Sequence, residues 1–208
     1  GCGYNLCLIK TPIGKKRLFD MGSIEPEKMY SNVQKGNWRS MNDGKIYLDE
    51  QSKRNAIPMR NSLMRLSTAF AVQGDTIKAI EVLDLSLNKM PIKDFDHYSL
   101  SLDYPEMYYR LGAVEKARKT AETLIGLFRE KLVWHSTFTK EEFDLIFEDF
   151  DLTFRYLYRG VLEQVQENEV DYTYFKKLQD KFNGTLELFQ HIIPNQETAP
   201  EDLELLQE

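Results

Sequence analysis

Three histidines, two cysteines and a scatter of carboxylates are the side chains of this sequence best suited to holding a metal or acting on a substrate. His97, His135 and His191 stand far apart and share no motif, and Cys2 and Cys7 lie near the start of the chain, remote from all three. No pair has metal-ligand spacing. Asp144, Glu148, Asp149 and Asp151 form an acidic run. It lacks the central glycine and closing glutamate of a calcium loop and fits the solvent face of a helix. Asp49 and Glu50 are a carboxylate pair that could serve acid–base chemistry, but Arg54 and Arg60 are placed to pair with them. The bland alternative, a structural tie between arm and first helix, is the favoured one. No glycine-rich phosphate loop occurs, and no serine has the context of a nucleophile elbow. Trp38 and Tyr47 are a candidate aromatic patch for stacking a sugar, or else staples that hold an irregular segment to a helical body. The residues therefore predict no catalytic centre, no metal and no cofactor.

The elements that would position these groups are helices. Residues 1–24 read as an extended arm with a basic cluster, Lys15-Lys16-Arg17. Glu25-Pro26-Glu27 starts a short helix that should end at Gly36. Asn42-Asp43-Gly44 marks a turn, and Ile46-Tyr47-Leu48 is too short for a sheet of its own. From about residue 56 the apolar spacing is three and four. Leu63, Leu66 and Phe70 make one stripe, and Ile80, Leu83, Leu87 and Met90 the next. A second pair is expected over Leu102–Gly112 and Val114–Glu130. Thr139 with Glu142 forms a capping box ahead of a stripe of Phe143, Phe147, Phe150, Phe154, Leu157 and Val161. Phe175, Leu178, Phe182, Leu186 and Phe189 mark the last helix. The expected domain spans 25–193, with a cap segment at 25–55, two repeat-like hairpins at 56–130 and a third helix pair at 131–193. An acidic tail covers 194–208.

Two stretches echo one another. Gly74-Asp75-Thr76-Ile77-Lys78-Ala79 and Gly112-Ala113-Val114-Glu115-Lys116-Ala117 each run from glycine to Lys-Ala, offset by 38 (112 − 74 and 117 − 79). This matches the inner half of a tetratricopeptide repeat, whose period is about 34. The first unit has Leu66, Phe70, Gly74, Ala79, Leu83 and Pro91 in repeat-like positions, with Ser67 and Ser86 where glycine and alanine are usual. The second is degenerate: Tyr104-Pro105 should disturb its first helix, and Arg129 replaces the closing proline. The fold class predicted is all-α, a tetratricopeptide-like array of stacked antiparallel helix hairpins with an irregular N-terminal arm. Ligands of such arrays lie against the first helices of each unit. That position is held by Asn61, Met64 and Thr68 in the first unit and by Leu102, Glu106 and Tyr109 in the second, which form the candidate groove. Met64 and Thr68 occupy two places of the set that clamps a peptide carboxylate, so a C-terminal-tail clamp is not expected.

The chain has 208 residues, 42% hydrophobic and 29% charged, with a net charge of −6. This is the composition of an ordinary folded protein, and its charge argues against a nucleic-acid partner. No apolar run reaches the ~18 residues of a membrane span, and Gly1 to Ile9 lacks the features of a signal peptide. The two thiols read as incidental, the alternative being a lipid attached at Cys2.

Phe19-Asp20-Met21-Gly22, Met29-Tyr30-Ser31-Asn32, Trp38, Met41-Asn42-Asp43 and Ile46-Tyr47-Leu48-Asp49-Glu50, followed by Arg54 and Arg60, run in a characteristic order. In this the chain resembles the C-terminal soluble region of a bacterial multi-pass membrane protein family of unknown function, itself similar to protein O-mannosyltransferases of the GT-C class. The resemblance covers roughly residues 4–130. It implies a soluble appendage at the extracytoplasmic (periplasmic) face of the bacterial inner membrane, with the catalytic residues in the membrane part and not here. Pro58 departs from the pattern, and the first long helix should start after it or kink there. The function expected is non-catalytic, a protein-interaction or scaffolding domain. Its partner would be a protein or peptide, including the membrane domain of the parent chain, and contact with the membrane would run only through the region upstream. The alternative is a carbohydrate- or acceptor-binding module serving the transferase, and a stand-alone hydrolase comes third.

Overall fold

The computed structural model describes residues 8–9, 23–38, 49–95 and 101–192. Among these the protein is all-α, apart from two two-residue strands, β1 (Leu8–Ile9) and β2 (Ser23–Ile24), which pair antiparallel with Leu8 opposite Ile24. The chain forms two compact units, 1–114 and 115–208. The boundary falls at the start of a helix that the sequence assigns to its second hairpin. Lys15-Lys16-Arg17, Asn42-Asp43-Gly44, Ile46-Tyr47-Leu48, both cysteines and the acidic tail lie outside the described residues.

In the first unit, α1 (Pro26–Lys35) begins with proline at its first position and ends at Gly36, as expected. Helix α2 (Glu50–Val72) starts six residues earlier than its apolar stripe suggests, because Asp49 caps it: Oδ1 accepts from the Ser52 N–H at 2.6 Å. Pro58 therefore lies inside the helix and does not begin it. Pro58 and Arg54, whose carbonyl loses its i+4 donor, are both exposed, so water can replace the missing bond. Helix α3 (Thr76–Lys89) is capped by Asp75, which accepts from the Lys78 N–H at 3.0 Å. Helices α2 and α3 fold back on each other through a three-residue turn. Leu63, Leu66 and Phe70 of α2 join Ala79 and Val82 of α3 in one buried cluster with Ala56, Met90 and Phe95. Ser67 fits in this tight seam because its hydroxyl donates to the Ala79 carbonyl at 2.9 Å. Helix α1 packs on the same cluster through Met29, Tyr30 and Val33. Its outer edge is pinned by Lys78 to Glu27 at 2.7 Å and by the Tyr30 hydroxyl to Glu81. Helix α4 (Asp103–Arg110) has Pro105 in its first turn, where the missing N–H would have no partner anyway, so the proline does not disturb it.

The two glycine turns are built alike. Gly74 has φ +83° and Gly112 φ +76°. At the first, the Asp75 N–H reaches back to the Phe70 carbonyl (2.9 Å) and the Gly74 N–H to that of Ala71 (3.1 Å). At the second, the Ala113 N–H reaches Tyr108 and the Gly112 N–H reaches Tyr109, both at 2.9 Å. Each is a Schellman stop, a left-handed residue closing the last helical turn.

The second unit holds α5 (Val114–His135), α6 (Lys140–Arg155), α7 (Glu163–Asn168) and α8 (Tyr172–Leu186), the last continuing into a 3-10 turn, Glu187–Phe189. Helix α5 starts at the last residue of the first unit and runs five residues beyond its expected end. The capping box forms: the Thr139 N–H donates to Glu142 Oε2 at 2.9 Å, and the Glu142 N–H to Thr139 Oγ1 at 3.3 Å. Between α6 and α7 the helix widens into a π-helical segment, Tyr156–Leu162. The buried residues Leu157, Val161 and Val165 explain why. Repeated steps of four overshoot a 3.6-residue turn, and the wider turn keeps them facing inward. Two members of the expected stripes are exposed, Phe147 at 51% and Leu186 at 36%, and Ile80, Leu87 and Phe154 are half-buried. Phe147 lies at the edge of the stripe, with its ring centroid 6.2 Å from that of the buried Phe143.

Candidate functional site

The candidate groove residues on α2 share one solvated face. Asn61 and Thr68 are exposed and Met64 half-buried, opposite the core positions Leu63, Leu66 and Phe70. The Thr68 hydroxyl donates to the Met64 carbonyl at 3.0 Å, a local bond that leaves the face open. The α4 side differs from expectation. Tyr109 is buried, while Leu102 and Glu106 are half-buried. Five of the eight residues of α4, Tyr104, Pro105, Met107, Tyr108 and Tyr109, are buried. This short helix is enclosed on most of its circumference, so it offers little groove wall.

The aromatic patch is not assembled among the described residues, because Tyr47 lies outside them. Trp38 is half-buried against the α2–α3 core, and its indole N–H donates to the Val33 carbonyl at 3.0 Å. This is the stapling role. Asp49 likewise serves as a helix cap, and the Ser52 backbone N–H holds its carboxyl below the usual range. Glu50 pairs with Arg54 at 3.4 Å on the surface. Arg60 does not join them, contrary to expectation. It points to the core side of α2 at 3% exposure. There its guanidinium donates to the carbonyls of Met90 (2.7 Å) and Pro91 (3.1 Å) and to Ser101 Oγ (3.2 Å), and lies 5.7 Å from the Phe95 ring centre. It thereby closes the C-terminus of α3, and burial lowers its pKa.

The acidic run does not converge, and no group of three metal-ligating side chains occurs among the described residues. Asp149 accepts from Lys131 Nζ at 2.7 Å and lies 3.1 Å from His135 Nε2, while Asp151 pairs with Arg155 at 2.6 Å. His191 is exposed, and His97 lies outside the described residues.

Three polar clusters escaped the sequence reading. The hydroxyls of Ser86 and Tyr104 lie 2.6 Å apart, and Tyr108 OH donates to Asp84 Oδ1 at 2.8 Å. Burial, followed by the bond to Asp84, pushes the Tyr108 hydroxyl far above the usual phenol range. Arg118 grips Glu169 with two parallel bonds of 2.7 and 2.8 Å and lies 4.7 Å from the Tyr174 ring centre. The third cluster is His135 with Asp149 and Lys131. The Arg118–Glu169 partners stand 51 residues apart, and no local pattern announces a pairing at that separation.

No protein-family model, curated protein or solved structure matches the chain. No helix among the described residues is long and apolar enough to cross a membrane.

Proposed function

We propose that the chain is a non-catalytic interaction scaffold built on tetratricopeptide-like hairpins, with a protein or peptide as its partner. The observation that carries this reading is the recurrence of structure at an offset of 38. Leu66, Phe70, Ala79, Val82, Leu83 and Ser86 are buried, and so are Tyr104, Tyr108, Ala117, Thr120, Ala121 and Leu124. Between the two halves of each set stands the same left-handed glycine stop. Repetition of buried positions and of the turn chemistry together is what a repeat architecture requires. The solvated face of α2, Asn61, Met64 and Thr68, is then the partner surface. Membership in a GT-C-like membrane protein, at the extracytoplasmic face, rests on the resemblance of residues 4–130.

Photoreactive side chains at Asn61 and Thr68 test the surface in cells making the full parent protein, with the exposed Gln166 as control. The expected result is a discrete polypeptide adduct from Asn61 and Thr68 only. Equal adducts from Gln166, or none from any position, would overturn it. The appendage reading is tested by the gene: membrane helices encoded just upstream of Gly1 are expected, and a start codon there with no such helices would end it.

A further inference from the structure

His135 closes α5 with no exposed surface at all. Its Nε2 faces Asp149 Oδ2 at 3.1 Å, while Lys131 holds the other oxygen of that carboxylate at 2.7 Å. A carboxylate accepts, so Nε2 carries the proton and Nδ1 is left as a lone pair. Nδ1 is buried and has no hydrogen-bond partner. The ring's aromatic neighbours are Trp134, with centroids 5.4 Å apart, and Phe150 at 6.2 Å. A lone pair without a donor is tolerable in such a cage. A second N–H, bearing charge and lacking an acceptor, is not. The site therefore accepts the singly protonated imidazole and disfavours the doubly protonated one.

The location makes this consequential. The His135–Asp149 bond joins the last residue of α5 to α6 across the 136–139 turn. Phe150, packed near the imidazole, is also central to the aromatic core of this unit: its centroid lies 4.9 Å from that of Phe143 and 4.8 Å from that of Phe189. We propose that His135 is an acid-triggered latch of the second unit, in which uptake of one proton at Nδ1 parts α6 from α5 and uncovers the cluster of Phe143, Phe150 and Phe189. The charged groups acting on the ring are Lys131 from its own helix and Asp149 from α6. The 3-10 turn after α8 brings Phe189 against Phe150, and no charge from that side acts on the ring among the described residues.

The sign follows from linkage. Burial, aided by Lys131, holds the folded imidazole below the ordinary value of 6.5, and the charge and hydrogen bond of Asp149 oppose this without cancelling it. The closed form is thus fully favoured above pH 6.5. Below it the open form binds one proton more, and the opening equilibrium rises about tenfold per pH unit until the folded imidazole itself titrates. Asp149 does not confuse the window. Burial pushes its carboxyl up, but Lys131 and His135 outweigh that and hold it below 3.8.

The test uses the full chain with Trp38→Phe, so that Trp134 reports the second unit alone. Its fluorescence and near-ultraviolet circular dichroism are followed from pH 8 to pH 4, with the His135 imidazole resonance read by NMR. The expected result is a transition below pH 6.5, with the His135 resonance unmoved until the dispersed signals of the unit collapse. Lys131→Gln, which removes a charge that opposes protonation of the ring, should move the midpoint down. His135→Gln, which keeps a donor toward Asp149 but cannot charge, should abolish the transition. If that variant does not fold at neutral pH, the NMR titration of the Trp38→Phe chain decides. A His135 that titrates at 6.5 or above in an intact unit, or an unchanged transition in His135→Gln, would overturn the latch.

Discussion

Arg60 carries a charge into the core and meets three neutral oxygens there, on Met90, Pro91 and Ser101. Its worth lies in what would be orphaned without it. Replacing it with methionine keeps the stem but takes this donor from the Met90 carbonyl and leaves that of Pro91 with only the Asp94 N–H at 3.2 Å. The expected loss is about 2 kcal/mol in urea unfolding, and an unchanged midpoint would mean that water reaches those carbonyls. Ala79 and Ala117 act through smallness. Both are wholly buried, and Ala79 lies where the Ser67 hydroxyl meets the α3 backbone. Leucine at either position should overpack and cost roughly 1–3 kcal/mol. Thermal unfolding of both variants at the wild-type temperature would remove the close-approach role assigned to them.

The helix stops separate conformation from packing at the level of elements. A Cβ added at Gly74 or Gly112 would meet no heavy atom within 4 Å, so sterics with neighbours are not what selects glycine there. The positive φ does. Alanine at either position should therefore destabilise by about 1–2 kcal/mol, from the backbone alone. Gly126 is the contrast: it sits inside α5, with equally open surroundings and no positive φ. Gly126→Ala should stabilise by roughly 0.5–1 kcal/mol. Chemical denaturation of the three variants checks both signs, and a common sign would refute the distinction. Thr139→Ala should cost about 1 kcal/mol by opening the box that starts α6, read as a fall in the unfolding midpoint of the second unit.

At the scale of the whole molecule, the net charge of −6 sets which partners are excluded by long-range fields. Anisotropy of a labelled duplex should show no binding at micromolar protein and about 150 mM salt, and a saturable micromolar affinity there would displace the protein-partner reading.

Much of the architecture was legible beforehand because it rests on local rules. The Pro26 start, the Gly36 stop, the Thr139–Glu142 box and the α2 stripe all rest on residues no more than seven apart in the chain. Turn chemistry at Gly74 and Gly112 was legible too, since only glycine takes that φ without strain. What went astray depends on which face of a helix meets a neighbour. Pro58 predicts a later start or a kink, yet α2 starts ahead of it and carries it on an exposed face. Proximity in the chain pairs Arg60 with Asp49 and Glu50, yet its side of α2 is the core side. Repeat position makes Tyr109 groove wall, yet it is buried. The same holds for His135, Asp149 and Lys131, and for Arg118 with Glu169. Sequence alone determined the helices, their stops and their repetition, because backbone hydrogen bonds and φ preferences act over a few residues. Tertiary structure alone decided which polar groups are sealed from water and what they touch, because burial depends on helices that the chain brings back from far away.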